Sequence, residues 1–365
     1  MTVREYDVVF VGAGLSALLL LKELRPELPE RVAVIDPDPL SGRPLVHWSY
    51  WNHEQTPYDR FAVGTWRQAE VAGMPPQSIA PYSMRLVRSA DVFAHLSALL
   101  GDLPLEWLHT TARSIARRRD KFYEVVTDAG TIRASWVFDS AMEIAPTFPS
   151  PHYPQALLSG TGISVKADRA VFDARTATLF DPLDERSFAY LLPLSPVVAL
   201  LESASFGSAT MEEDRRPLLR YLRARYPEAR FTVTHAESGS ISLGFAPSKT
   251  SGPQHILIGA KRGLIKPSAG YGVVRIAKES EHLARLWRED RSLPPSWQSS
   301  WQWRLVDRGF LQLAAQDPRR PMALLRRTMH AIPLTQALRF IDEELPPRQL
   351  ASLLPSTVPA ILRRP

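Results

Sequence analysis

The run Tyr6-Asp-Val-Val-Phe-Val11 is apolar and β-branched, the composition of a strand buried on both faces. Helix-forming residues follow over Leu18–Arg25, and a second apolar run, Arg31-Val-Ala-Val-Ile35, stops at Asp36. Together these predict a strand, a helix and a parallel strand. Further on, Ser83-Met-Arg-Leu-Val-Arg88 reads as a strand and Ser89–Leu100 as a capped helix. Strands are predicted around Glu106–Leu108 and Lys121–Thr127, and Ala134-Ser-Trp-Val-Phe138 returns to a buried strand ending at Asp139. The chain thus leaves a parallel sheet for a second sheet and rejoins it. Its longest apolar stretches, Leu15–Leu21 and Leu191–Leu201, the second broken by Pro193 and Pro196, are shorter than the ~20 residues a membrane-spanning helix needs.

Between the first strand and helix lies Gly12-Ala-Gly14-Leu-Ser-Ala17. Gly12 permits the tight turn, Gly14 admits a pyrophosphate close to the backbone, and Ala17 lets helix and strand pack closely. The helix N-terminus adds amide donors and the positive end of a dipole. Asp36 is placed to accept hydrogen bonds from the ribose hydroxyls of an adenosine. With no arginine directly after it, Asp36 favours FAD or NAD over NADP, and the N-terminal position favours FAD by analogy with flavoproteins. The next segment carries His47-Trp-Ser-Tyr-Trp51, an aromatic cluster that either lines a pocket or fills a core.

Composition narrows the chemistry. The 365 residues contain no cysteine, which excludes disulfides, thiol nucleophiles, thiolate metal sites and iron–sulfur clusters. No histidine group has the sequence spacing of metal ligands, so no metal site is predicted. The 32 prolines imply many rigid turns. Of the net charge of +6, five units fall in residues 301–365, where ten arginines face five acids. Such a tail suits nucleic acid, an anionic membrane surface, or solubility alone. It shows no zinc spacing, no glycine-aromatic RNA motif and no strongly basic helix, so nucleic acid is set aside. The start of the chain has no charged-then-apolar leader, and the expectation is residence in the cytoplasm.

Several blocks, in order, resemble the lycopene β-cyclase family. They are the N-terminal block, His47-Trp48-Ser49-Tyr50, Ala170-Val-Phe-Asp-Ala174, Tyr190-Leu-Leu-Pro-Leu-Ser-Pro196 leading to Leu201-Glu202, Glu237-Ser-Gly239, and Gly263-Leu-Ile-Lys-Pro267-Ser-Ala-Gly270-Tyr271. The sequence departs from the family pattern with Leu45-Val46 before His47-Trp48, with Asp139-Ser-Ala-Met142 in place of Asp-x-Arg-Gly, and with Ser203 after Glu202. The resemblance implies a Rossmann-type FAD-binding α/β flavoprotein fold of the glutathione-reductase/hydroxylase kind, with an inserted antiparallel substrate sheet and a C-terminal helical region. The expected organisation is a βαβ part over 1–80, a return to the Rossmann sheet with a small β excursion over 81–139, and a substrate sheet carrying the acid over 140–250. A second FAD-binding segment over 251–290 and a basic helical region over 291–365 complete it.

The same resemblance implies an intramolecular lyase or isomerase, a carotenoid or terpenoid cyclase that holds FAD in its reduced form, with NAD(P)H as reductant. Its substrate is a hydrophobic polyene such as lycopene, closed to a β-ring without net redox change. Glu202 maps onto the catalytic acid. Gly12, Gly14, Ala17, Asp36, Asp139, Gly259, Gly263, Pro267, Gly270 and Tyr271 map onto the cofactor site, and His47, Trp48, Tyr50 and Trp51 are candidates for the substrate pocket. Protonating an alkene needs a poorly solvated neutral acid, and Glu202 follows the apolar run Val197–Leu201. By residues alone Glu202 also reads as a strand-end glutamate paired with a surface arginine. Glu237 is a second candidate acid, either tuning Glu202 or receiving the final proton; a cap or turn residue before Gly239 is the alternative. Cyclisation of another prenyl or meroterpenoid chain, and a FAD monooxygenase of the hydroxylase class, are the competing activities. Against the monooxygenase, Gly259-Ala-Lys-Arg-Gly263 lacks an acid. Trp297, Trp301, Leu305 and Leu313 at near-helical spacing with Arg304 and Arg308 suit a helix lying on an anionic leaflet at the inner face of the membrane, or a core-packed helix with its arginines in solvent.

Overall fold

The computed structural model describes residues 3–40, 43–71, 74–141, 155–207, 211–244, 250–289, 291–294, 299–346 and 349. Met142, Trp297, Arg348, Arg363 and Arg364 lie outside the described residues.

The predicted opening forms as a parallel pair around a helix: β1 (Arg4–Val11), α1 (Leu15–Leu24) and β2 (Val32–Ile35). Leu18 to Leu21 of α1 are all buried, because the sheet lies on one side and later helices on the other. β3 (His47–Asn52), β4 (Ala62–Trp66) and β7 (Ser83–Arg88) make a small antiparallel sheet in the order β3-β7-β4. β5 (Gln68–Glu70) and β6 (Gln77–Ser78) lie between β4 and β7 in the chain. α2 (Ser89–Leu100) leads to β8 (Leu105–Leu108), which extends the parallel sheet beyond β2. β9 (Ala112–Arg117), β10 (Tyr123–Thr127) and β11 (Gly130–Asp139) form an antiparallel meander whose last strand returns parallel to β1.

A second seven-stranded sheet is built from β12 (Gln155–Ala167), β13 (Thr176–Pro182), β14 (Ser187–Pro193), β15 (Val198–Phe206) and β16 (Phe231–Gly244), in the order β16-β12-β15-β14-β13-β5-β6. α3 (Met211–Arg225) covers one face, where Leu218 and Leu222 meet Ile163, Val165, Leu191 and Leu201. The other face packs against β3, β7 and the C-terminal helices α5 (Trp301–Gln316), α6 (Arg319–Ala331) and α7 (Leu334–Ile341). Covered on both sides, β13 and β14 are buried almost throughout. β17 (His255–Leu257) rejoins the parallel sheet beside β11, and α4 (Val273–Glu289) packs on α1.

One expected boundary is corrected. Gln68–Glu70 and Gln77–Ser78, assigned with the first 80 residues to the nucleotide part, form β5 and β6 at the edge of the substrate sheet. Strands this short carry too little periodicity to reveal which sheet they join.

Candidate functional site

The chemistry is set by a row across the substrate sheet. Register places Tyr190 of β14, Glu202 of β15, Gly162 of β12 and Glu237 of β16 side by side. Leu201 points to the α3 side and Leu200 to the opposite core, so strand alternation turns Glu202 toward the face that packs on β3 and β7. Glu202 is partly buried and keeps some accessible surface. Burial, reinforced by the charge of Glu237, pushes its carboxyl up to about 7, while Ser49 and His47 oppose the shift. Ser49 Oγ donates to Glu202 Oε2 at 3.0 Å. No arginine or lysine pairs with Glu202 among the described residues. The surface ion pair left open by the sequence is therefore not formed.

Glu237 lies well inside β16 and is buried, which removes the cap-or-turn alternative. Its Oε1 accepts from the His47 backbone N–H at 3.0 Å, and its Oε2 from His47 Nδ1 at 2.8 Å. His235 Nε2 lies 3.3 Å from the same Oε2. His47, His235 and Glu237 thus bring one ligand-type atom each within 4.8 Å of one another. Sequence spacing did not reveal this group, because His47 is on a different sheet. With both carboxylate oxygens accepting hydrogen bonds, it is a bonded chain as it stands.

β3 divides the aromatic cluster by alternation. His47, Ser49 and Trp51 face the acids, whereas Trp48 packs edge-on against Phe93 and Tyr50 is 1% exposed with its hydroxyl held by Thr56 and Asp59. The Trp48 ring packs against the core, whereas Tyr50, though buried, borders the cleft beside Trp51. Tyr271 sits against Trp51 with ring centroids 4.1 Å apart. Burial raises its hydroxyl pKa, and it lies within the fields of Tyr190, Glu202 and Asp342. Beyond Tyr271 opens a cleft of about 80 Å³ bordered by Trp51, Lys266, Arg275, Asp342 and Glu344. Asp342 accepts from Trp51 Nε1 at 3.0 Å, and burial, then the charge of Glu344, pushes it up to about 7. The neighbouring cations are spent elsewhere: Lys266 bonds both oxygens of Asp307 at 2.8 Å, and Arg275 pairs with Glu343 at 2.8 Å.

The nucleotide loop is shaped for an anion. Gly12 has φ +86°, and a Cβ there would lie 2.5 Å from Ser140 Oγ. Gly14 caps α1 with no side-chain cap, and nothing lies within 4 Å of where its Cβ would be. The first-turn amides of α1 therefore face open space, the arrangement that receives a phosphate. Ala17 is fully buried in the helix–strand contact. Asp36 accepts from Ala13 N at 2.6 Å and also from Arg43 Nη2 at 2.9 Å, an arginine that sequence adjacency did not reveal. Asp139 is 1% exposed, and its carboxylate accepts from Lys261 at 2.6 Å and His255 at 3.1 Å. It thereby pins β11 to β17 and to the turn at Gly259. Gly259 has φ +62° and abuts Ser16 of α1, and Gly263, at φ +87°, has free space beside it. Pro267 is buried, and the turn at Gly270 (φ +72°) presses against Leu158 of the substrate sheet. These features fit a dinucleotide stretched from Asp36 past Gly14 and Gly263 toward Tyr271.

The sequence model of the lycopene cyclase protein family matches residues 7–362. The chain belongs to the lycopene cyclase family. No curated protein matches it. Among solved structures this family member is similar to a geranylgeranyl bacteriochlorophyll reductase-like protein from Thermoplasma acidophilum, with TM-score 0.60 and 11% identity over 99% of this chain and 98% of that one. It is similar to a flavin-dependent brominase, with TM-score 0.57 and 14% identity over 92% and 93% of the two chains. A p-nitrophenol 4-monooxygenase from Pseudomonas putida DLL-E4 gives TM-score 0.57 and 16% identity over 99% and 100%. At these identities the likeness is one of fold, and the fold is the FAD-binding flavoprotein α/β architecture expected from the sequence.

In this lycopene cyclase family member, sequence reasoning missed Gly162, His235, Tyr190 as the partner of Glu202, and Asp342. Gly162 lies in an alternating Gly160-Thr-Gly162 stretch, a usable signal for close approach inside a strand. Asp342 had no local signal.

Proposed function

We propose that this protein is a FAD-dependent cyclase that protonates the terminal alkene of a hydrophobic polyene through Glu202 and closes a β-ring. The observation that carries the reading is the carboxyl of Glu202, which burial and the nearby Glu237 push up to about 7, so that a large fraction keeps its proton near neutral pH. An alkene carbon is a weak base, so the donor must be neutral and shielded from water, and this environment supplies both conditions. As the new C–H bond forms, the adjacent carbon becomes cationic; the next double bond attacks it, and loss of a ring proton restores an alkene. Trp51 and Tyr271 present aromatic faces to that charge and offer no strong nucleophile to trap it.

Gly12, Gly14, Ala17 and Gly263 would hold FAD, with Asp36 at its ribose. Bound in its reduced form, with NAD(P)H as reductant, the flavin supplies fixed negative charge beside the reacting end. A halogenase of similar fold was solved with FAD, at TM-score 0.53 and 13% identity over 88% of this chain and 76% of that one.

An oily substrate is collected from a bilayer. No helix among the described residues is long and apolar enough to cross a membrane. On α5, however, Trp301 and Leu305 are 65% and 64% exposed, one turn apart, with Arg304 and Arg308 also exposed. That face suits peripheral docking on an anionic inner leaflet.

The test is anaerobic product analysis with reduced FAD, using lycopene and shorter polyprenyl chains. Cyclised product from wild type and none from Glu202→Gln is the expected result. A flavoprotein that consumes NAD(P)H and O₂ with an organic substrate would replace this reading with the monooxygenase one.

A further inference from the structure

We infer that His235 is the outer end of a proton path through Glu237 that recharges Glu202 from solvent. The inference rests on the reading of Glu202 as the proton donor. In each turnover Glu202 forms one C–H bond with its proton and is left as a carboxylate. Ring closure moves a π pair into the new C–C bond, and the ring proton leaves from another carbon, so no electrons are gained or lost. Glu202 must then take up a proton, and beside it on this face stand Ser49 of β3, Tyr190, Tyr271 and Glu237.

The residues between it and solvent form an ordered series. The His235 side chain is 33% exposed, whereas those of Glu237 and His47 are each 8% exposed. His235 Nε2 lies 3.3 Å from Glu237 Oε2, and the same nitrogen lies 3.3 Å from the Leu45 carbonyl oxygen. The His47 ring stands edge-on to it with centroids 6.0 Å apart. His47 holds Glu237 through both its backbone N–H and Nδ1, which orients the carboxylate. Between Glu237 and Glu202 the sheet offers only Gly162, and a Cβ there would lie 2.8 Å from Glu237 Cγ. The absent side chain leaves the two carboxyls a shared space over the strand. Ordinary strand alternation, with regular pairing from Gly162 to Ser164, puts His235 on the same face as Glu237. His235 is a positioning and relay residue; it does not touch the substrate.

The experiment uses the full chain with FAD bound and compares wild type with His235→Gln, which retains a polar side chain of similar reach. Two measurements are made. The first is the rate at which the infrared carbonyl band of protonated Glu202, assigned by its loss in Glu202→Gln, shifts on transfer to D₂O. The second is turnover of the polyene. In His235→Gln the isotope shift slows, kcat falls about a hundredfold with KM unchanged, and added imidazole restores both. Unchanged exchange and kcat, or a loss that imidazole does not repair while flavin content and Tm are kept, overturns the relay. If His235 controls the exchange but wild type forms no cyclised product, the relay stands and the cyclase reading falls.

Discussion

At the scale of single residues, the reaction depends on keeping Glu202 neutral. With its carboxyl pushed up to about 7, activity limited by the acid form holds below that pH and falls as pH rises through it. A kcat profile over pH checks this, and Glu202→Gln loses activity at every pH. The same shift carries a stability cost of defined sign. Between the ordinary carboxylate range near ~4.3 and about 7, the folded protein binds a proton that the unfolded chain releases. Stability therefore falls as pH rises across that window. Glu202→Gln removes the cost, so at about pH 8 the variant is more stable by up to about 3 kcal/mol, and the difference vanishes near pH 4. Denaturant titration at the two pH values decides it. Gly162→Ala is expected to act in the opposite sense. Its methyl would meet Glu237 Cγ at 2.8 Å, forcing that side chain away from His47 and lowering kcat more than its stability loss of about 1–3 kcal/mol would explain.

At the scale of elements, the turn from Lys266 to Tyr271 is held by a buried cation. Lys266, 2% exposed, joins Asp307 of α5 and Glu343 beyond α7 to the turn that carries Tyr271. Lys266→Met strands the buried Asp307, while Glu343 keeps Arg275, and is expected to cost about 3–5 kcal/mol, read as a lowered denaturation midpoint together with weaker flavin retention. Elements of this kind mark the limit of what the sequence made legible. β1, α1 and β2 could be read because turn, helix and strand signals follow one another within 30 residues, and Glu202 because an apolar strand leads directly into it. His235 and Glu237 meet His47 only through a contact about 190 positions distant, and neither residue carries a local pattern that would predict it. The orientations of Trp48 and Tyr50 escaped the sequence for a related reason. The aromatic run is obvious, but which alternate positions face the acids is fixed by the pairing of β3 with β7 and by the core beneath it. The bond of Asp139 to His255 of β17 was likewise invisible in the sequence.

At the scale of the whole molecule, the positive charge of the C-terminal region becomes a surface property. Arg304, Arg308, Arg319, Arg326 and Arg327 are exposed on helices that also close the substrate face. Replacing Trp301 and Leu305 together by serine is expected to abolish flotation with anionic liposomes while leaving turnover of detergent-dispersed substrate within about twofold, since both side chains are solvent-exposed. Added salt weakens the wild-type interaction. The two seven-stranded sheets are not separable modules, because β5 and β6 come from the segment between nucleotide-side strands and complete the edge of the substrate sheet. An engineer who wished to transplant a new substrate specificity onto this flavin scaffold could not cut once on each side of residues 155–244. The graft would have to bring residues 68–78 with it, and ancestral exchange of substrate sheets between relatives would have met the same two-piece requirement.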